Sequence, residues 1–162
     1  MAIKLWEPVV TSLRDRLETD LPATITTINS TQTTPSYPIE NPQRVLDFIP
    51  TVADMFAFPV VGISDGIFNL EDDTGWGATG VFELTIVVFL QNADPRALAW
   101  QLRRYAQAVT RVALEDRSIG DGWGVTLKQV RPGPTLGRDE NPRQWLSTVA
   151  VSIEVKSEQD SV

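Results

Sequence analysis

The residue types that most often do chemistry are scarce in this sequence. Its 162 residues include no histidine and no cysteine. That removes the commonest general base and transition-metal ligand, and with them thiolate nucleophiles, disulfides and cysteine-type zinc sites. A few strings remain whose spacing can be weighed. Gly75, Gly77 and Gly80 spell G-x-G-x-x-G, the pattern that lets a backbone approach a pyrophosphate. That pattern works only between a strand and a helix, whereas here an acidic run precedes it and a β-branched run follows. Three carboxylates beside a phosphate would also repel it, so a flexible hairpin tip is the better reading. Glu71, Asp72 and Asp73 offer oxygen ligands for calcium, but they neither alternate nor end in the bidentate glutamate of a calcium loop. Adjacent loop residues also fail to hold the fixed separation that a carboxylate acid and base require. Asn29-Ser30-Thr31 matches a glycosylation acceptor, without a signal peptide to give it meaning. No catalytic, cofactor-binding or metal-binding residue is expected, and the chain is not expected to be an enzyme.

The charge balance excludes a further class. A net charge of -7 and a pI near 4.5 argue against a surface built to grip phosphates, which normally carries a basic patch. Arg96, Arg103, Arg104 and Arg111 lie along one predicted helix and read as its solvated face. Residues 1–20 carry charges throughout, so they resemble neither a secretory signal nor a membrane span, and a cytoplasmic setting is expected. Trp76, Trp123 and Trp145 each stand at or beside a loop rich in glycine or proline. Tryptophan in such places either anchors an interface or caps the edge of a core, and both readings stand.

The elements that would position these residues follow from periodicity. Leu5, Val9, Leu13 and Leu17 recur every four residues, giving an amphipathic first helix that ends at Asp20-Leu21-Pro22. The threonine-rich run 23–28 reads as a strand, and the proline-bearing run 29–42 as a long loop. A short strand at 44–49, a helical turn at 51–56 and a strand at 58–64, closed by Asp65-Gly66, come next. Residues 69–80 read as an acidic, glycine-rich loop. Residues 81–90 alternate with both faces largely apolar, which places that strand inside a sheet. Asp94 and Pro95 then mark the start of a helix whose stripe is Leu98, Leu102, Tyr105, Val109 and Val112. A turn at 118–124, a strand at 125–130, a loop at 131–143 and a half-exposed strand at 145–155 complete the chain. These elements add up to one α+β domain: a mainly antiparallel sheet of about five strands with two helices packed on one face.

The order of helix, strand, long proline-bearing loop, Pro59-Val60-Val61-Gly62-Ile63, glycine-rich hairpin, strand 81–90, Asp94 helix and two closing strands resembles the tail terminator proteins of long-tailed bacteriophages. The likeness spans nearly the whole chain and rests on order, length and texture. Such proteins are catalytically inert virion components that form a ring, commonly hexameric, on the tail tube. The ring ends tube polymerisation and joins the tail to the head connector at the neck. The resemblance therefore implies a chain made in the host cytoplasm and carried in the virion. Its partners would be other copies of itself, the tail tube protein and a head connector or neck protein. DNA would pass through the lumen without specific binding, and no membrane is involved. Acidic Glu71, Asp72 and Asp73 would meet Arg131, Arg138 and Arg143 of a neighbour, charge complementarity setting the register, and Trp76 is a further interface candidate. Another neck or tail-completion role, and a non-viral small-molecule-binding or adaptor domain, stay open as alternatives.

Overall fold

In the computed structural model, residues 6–51, 57–73, 77–115, 118–119, 122–139 and 143–159 are described. Their order is α1 (Trp6–Thr31), β1 (Arg44–Leu46), β2 (Val60–Asp73), β3 (Gly77–Asn92), α2 (Pro95–Leu114), β4 (Ser118–Ile119), β5 (Gly122–Pro132), β6 (Leu136–Arg138) and β7 (Gln144–Gln159). The strands form one seven-stranded sheet in the order β1-β2-β3-β7-β5-β4, with β6 paired to β7 beyond the end of β5. Every pairing is antiparallel except β1 with β2. The α+β class expected from the sequence is the observed one, with more strands than the expected count.

The sheet is organised around β3 and β7, which pair without a break from Ala78 opposite Gln159 to Asn92 opposite Trp145. Phe82, Leu84, Ile86 and Val88 of β3 and Val149, Val151, Ile153 and Val155 of β7 are buried on the face that carries the helices. Asp94 caps α2 by accepting a hydrogen bond from the Arg96 amide, with Pro95 in the first turn. Leu98, Leu102, Tyr105, Val109 and Val112 of α2 join the same core, each burial contributing on the order of 1.5–3 kcal/mol. Among the described residues, no helix is long and apolar enough to cross a membrane.

The first helix departs from expectation. It does not stop at Pro22 but runs on to Thr31, and the expected strand at 23–28 is helical. Leu21, Ile25 and Ile28 continue the buried spacing of Leu13 and Leu17, so one apolar stripe spans the proline. The threonine hydroxyls answer the helix's own carbonyls: Thr24 donates to Asp20 O, Thr26 to Pro22 O, Thr27 to Ala23 O and Thr31 to Thr27 O. Tertiary burial overrides β-propensity here.

The acidic loop is likewise shorter than expected. Residues 69–73 belong to β2 and 77–80 to β3, so a long hairpin replaces most of the 69–80 loop. Nor does Asp65-Gly66 end the strand; it marks a shift of register before Phe68 opposite Phe82. A Cβ on Gly66 would stand 2.7 Å from the Glu83 carbonyl oxygen, so this close approach of backbones needs glycine. The loop expected at 131–143 is also partly strand, in β5 and β6, because Gly133 N donates to Thr148 O and carries the edge past Pro132 and Pro134. The expected turn at 118–124 is a small hairpin of β4 and β5. Of the helical turn expected at 51–56, residues 52–56 lie outside the described residues.

Candidate assembly surface

The sequence-derived site residues that are described fall at the two lateral edges and two opposite ends of the sheet. On one side, among the described residues, β1 covers β2 only at Val60, Val61 and Gly62. Residues 63–73 of β2 therefore form an outer edge. Glu71 is exposed and pairs with Thr79 across the hairpin, and the backbones of Asp72 and Asp73 pair with Ala78 and Gly77. Trp76 lies outside the described residues. On the other side, among the described residues, β4 covers β5 only at Gly122 and Trp123, and β6 prolongs that edge along β7.

The arginines divide between this second edge and its far end. Arg131 is exposed on β5 opposite Ala150. Arg138 sits on β6 opposite Gln144, donates to Gln91 Oε1 at 3.2 Å and lies over the Phe58 ring at 5.8 Å. Arg143 stacks over Trp145 at 4.7 Å from the ring centroid, so Trp145 is a partly buried edge of the core with a cation on its face. Glu71 is level with Thr79 of β3, whereas Arg138 is beside the pairing of Asn92 with Trp145. Those levels are thirteen residues apart on β3, about 40 Å at strand rise. The acidic and basic groups thus do not meet within one chain.

Sequence reasoning missed an apolar groove beside the basic edge. β5 reaches past the cover of α2, leaving Leu127 41% and Val130 45% exposed although both lie on the helix side of the sheet, opposite Ile153 and Val151. Two adjoining hollows of about 510 Å³ and 300 Å³ share Ala106 and Val130 and run between α2 and β5. Leu114, Leu127 and Arg111 line the first, and Leu102, Pro132 and Val149 the second. The acidic edge carries its own exposed apolar residues, Ile67 and Leu70. Periodicity could not reveal the strip on β5, because a helix-side residue on a strand reads as core whether or not a helix reaches it, and the residues on β2 lie beyond the end expected for that strand.

The arginine stripe on α2 also needs correction. Arg96, Arg103 and Arg111 are exposed, and Arg103 stacks over Trp100 at 4.9 Å. Arg104 is not on the solvated face: only 3% exposed, it donates from Nη1 to Tyr37 O and from Nη2 to Pro35 O. It belongs to a set of bonds fastening residues 32–43 over the helices. Asn29 exchanges two bonds with the backbone of Ile39, at 2.8 and 2.9 Å, and Gln101 donates to Pro38 O at 2.9 Å. The buried Tyr105 hydroxyl donates to Glu40 O. Burial raises the pKa of that phenol. The long loop is therefore fixed in shape by side chains of both helices.

Neither a protein-family model nor a curated protein matches the sequence. Among solved structures, a chain in one titled "Virion of native gene transfer agent (GTA) particle" is similar, with a TM-score of 0.51 at 16% identity over 98% of this chain and 100% of that one. At that identity the likeness is one of fold: this chain shares, from end to end, the α+β fold of a chain in that virion.

Proposed function

We propose that this chain is a structural subunit of a phage-type virion, and within it a tail terminator: a ring that caps the tail tube, stops its growth and joins it to the head connector. The observation that carries this reading is the end-to-end likeness of fold to a chain of a virion particle, covering 98% of one chain and 100% of the other. A sequence without histidine or cysteine suits an inert role. So does the placement of acidic and basic groups at opposite limits of one sheet, which favours contact between copies over contact within one. DNA passes through such a ring without specific binding, and a net charge of -7 per copy disfavours adhesion to phosphate.

The test is mass, measured on the purified chain and on the chain bound to isolated tail tubes. A closed ring on the tube end is expected, with the free chain monomeric or weakly associated, because heterologous contacts close only at the right rotation. A single copy per particle defeats the reading. Reversing Glu71, Asp72 and Asp73 to lysine should block the ring while leaving the monomer folded, and unchanged assembly removes these residues from the interface.

A further inference from the structure

The two edges of the sheet that no strand covers among the described residues differ in charge. From Ile63 to Asp73, β2 carries Asp65, Glu71, Asp72 and Asp73 and no lysine or arginine; from Gly124 to Arg138, the other edge carries Lys128, Arg131 and Arg138 and no carboxylate. Among the described residues, neither Glu71 nor Arg131 has an ion-pair partner, while Lys128 pairs with Glu154 at 3.2 Å. Each edge also presents apolar residues on the helix side. Leu70, opposite Gly80, falls on the face of buried Phe82, and Leu127, opposite Ile153, on the face of buried Leu84.

Chain direction fits as well. β2, β3, β7 and β5 alternate in direction, so copies related by a simple rotation bring β5 of one beside β2 of the next in antiparallel sense. We propose that the acidic β2 edge of one copy docks antiparallel on the basic β5–β6 edge of the next, seating Leu70 against the groove formed by Leu127, Val130 and α2. The partner is a second copy of this chain. Leu127 is level with Leu84 of β3 through Ile153, and Leu70 with Gly80. A stagger of four residues between copies therefore brings Leu70 beside Leu127, the kind of offset that tilted strands need when a sheet curves toward closure. Backbone groups along both edges supply the ladder, and side chains supply the choice of partner. Like edges repel: β2 against β2 sets acid on acid, and β5 against β5 sets base on base. The contact is thus head-to-tail. It rests on the reading of the chain as a ring subunit, and deepens it by naming the surfaces.

Because the chain has no cysteine, the pairing can be trapped cleanly. Leu70→Cys and Leu127→Cys are introduced singly and together into the full chain, then treated with a short bis-maleimide at high protein concentration. The single variants mixed should give one covalent dimer joining 70 to 127, and the double variant a ladder. Glu71→Lys and Arg131→Glu should each slow that cross-linking roughly fivefold, since each sets a like charge against the opposing edge. Single variants that cross-link to themselves as readily as to each other overturn the proposal, as does a chain with no 70-to-127 product at its solubility limit. Electron microscopy separates the two readings. Closed rings that give no 70-to-127 product refute the edge pairing alone, whereas a ladder built on open filaments upholds the pairing and refutes the ring.

Discussion

Replacing Arg104 tests the claim that the 32–43 loop is held by a buried cation and not by its own packing. The guanidinium makes two charge-assisted bonds, to Pro35 O and Tyr37 O, at 3% exposure. Bonds of this kind contribute about 1.5–3 kcal/mol each, and their loss leaves two carbonyls unsatisfied. Against this stands the cost of burying the cation, increased by a buried Nε that finds no hydrogen-bond partner among the described residues. Arg104→Met, which keeps most of the volume, should therefore destabilise by about 3 kcal/mol, lowering the melting temperature by about 6–12 °C for a domain of this size. Arg104→Lys can reach only one carbonyl at a time and should lose about half as much. Urea unfolding gives the free energy, and a slope unchanged from wild type shows that both states keep their compactness. Amide exchange then locates the effect. The Tyr37 amide, bonded to Pro35 O, should lose protection, while the Ile39 amide, held by Asn29 Oδ1, should keep it. A loss below about 0.5 kcal/mol, within the range of ordinary surface changes, would refute the reasoning, as would equal deprotection of both amides.

Tyr105 gives a pH signature. Its phenol pKa is raised by burial, so the folded state holds that proton more tightly than the unfolded one. The stability linked to it is complete below the unfolded value near pH 10 and is lost as pH rises beyond it. Tyr105→Phe should cost about 1 kcal/mol at pH 7 and remove that alkaline loss, which parallel urea titrations at pH 7 and pH 11 would show. Leu21→Ala, at a fully buried site beside the helix proline, should cost about 2–5 kcal/mol; a loss under 1 kcal/mol would mean that α1 does not pack beyond Pro22. Duplex DNA should not bind measurably at physiological salt, and Arg103→Ala with Arg111→Ala should change nothing in a salt titration. Tight binding that weakens steeply with salt would make α2 a phosphate-tracking surface.

What the sequence discloses depends on whether a signal is local. β3 and α2 are plain in it because alternation, the Asp94 cap and Pro95 act within a few residues. The second half of α1 is hidden, since Pro22 and a run of threonines point locally to a break and a strand; only contact with distant partners makes it helical. The hairpin through Glu71, Asp72 and Asp73 is hidden for a related reason. Glycines and carboxylates read as loop, while pairing with β7 holds β3 in strand as far as its outer end. Charge was legible as a total and illegible as a pattern. That Arg104 turns inward, or that Lys128 and Arg131 share an edge free of carboxylates, depends on which strand lies next to which.

The threonine-lined half of α1 bears on the order in which the chain folds. Helix growing forward from Leu13 meets Pro22, which offers no amide to the carbonyl four residues back. The turns beyond must therefore nucleate again, and nucleation is the costly step of helix formation. Contacts able to favour it come from far along the sequence, as when Gln32 bonds to Gln107, 75 residues away. On an emerging polypeptide these turns have only the bonds of Asn29 to Ile39 and early strand contacts to lean on until α2 has been made, so the first helix in the chain is the last to be completed. In pulse-labelled refolding, amides of residues 23–31 should gain protection only after those of α2.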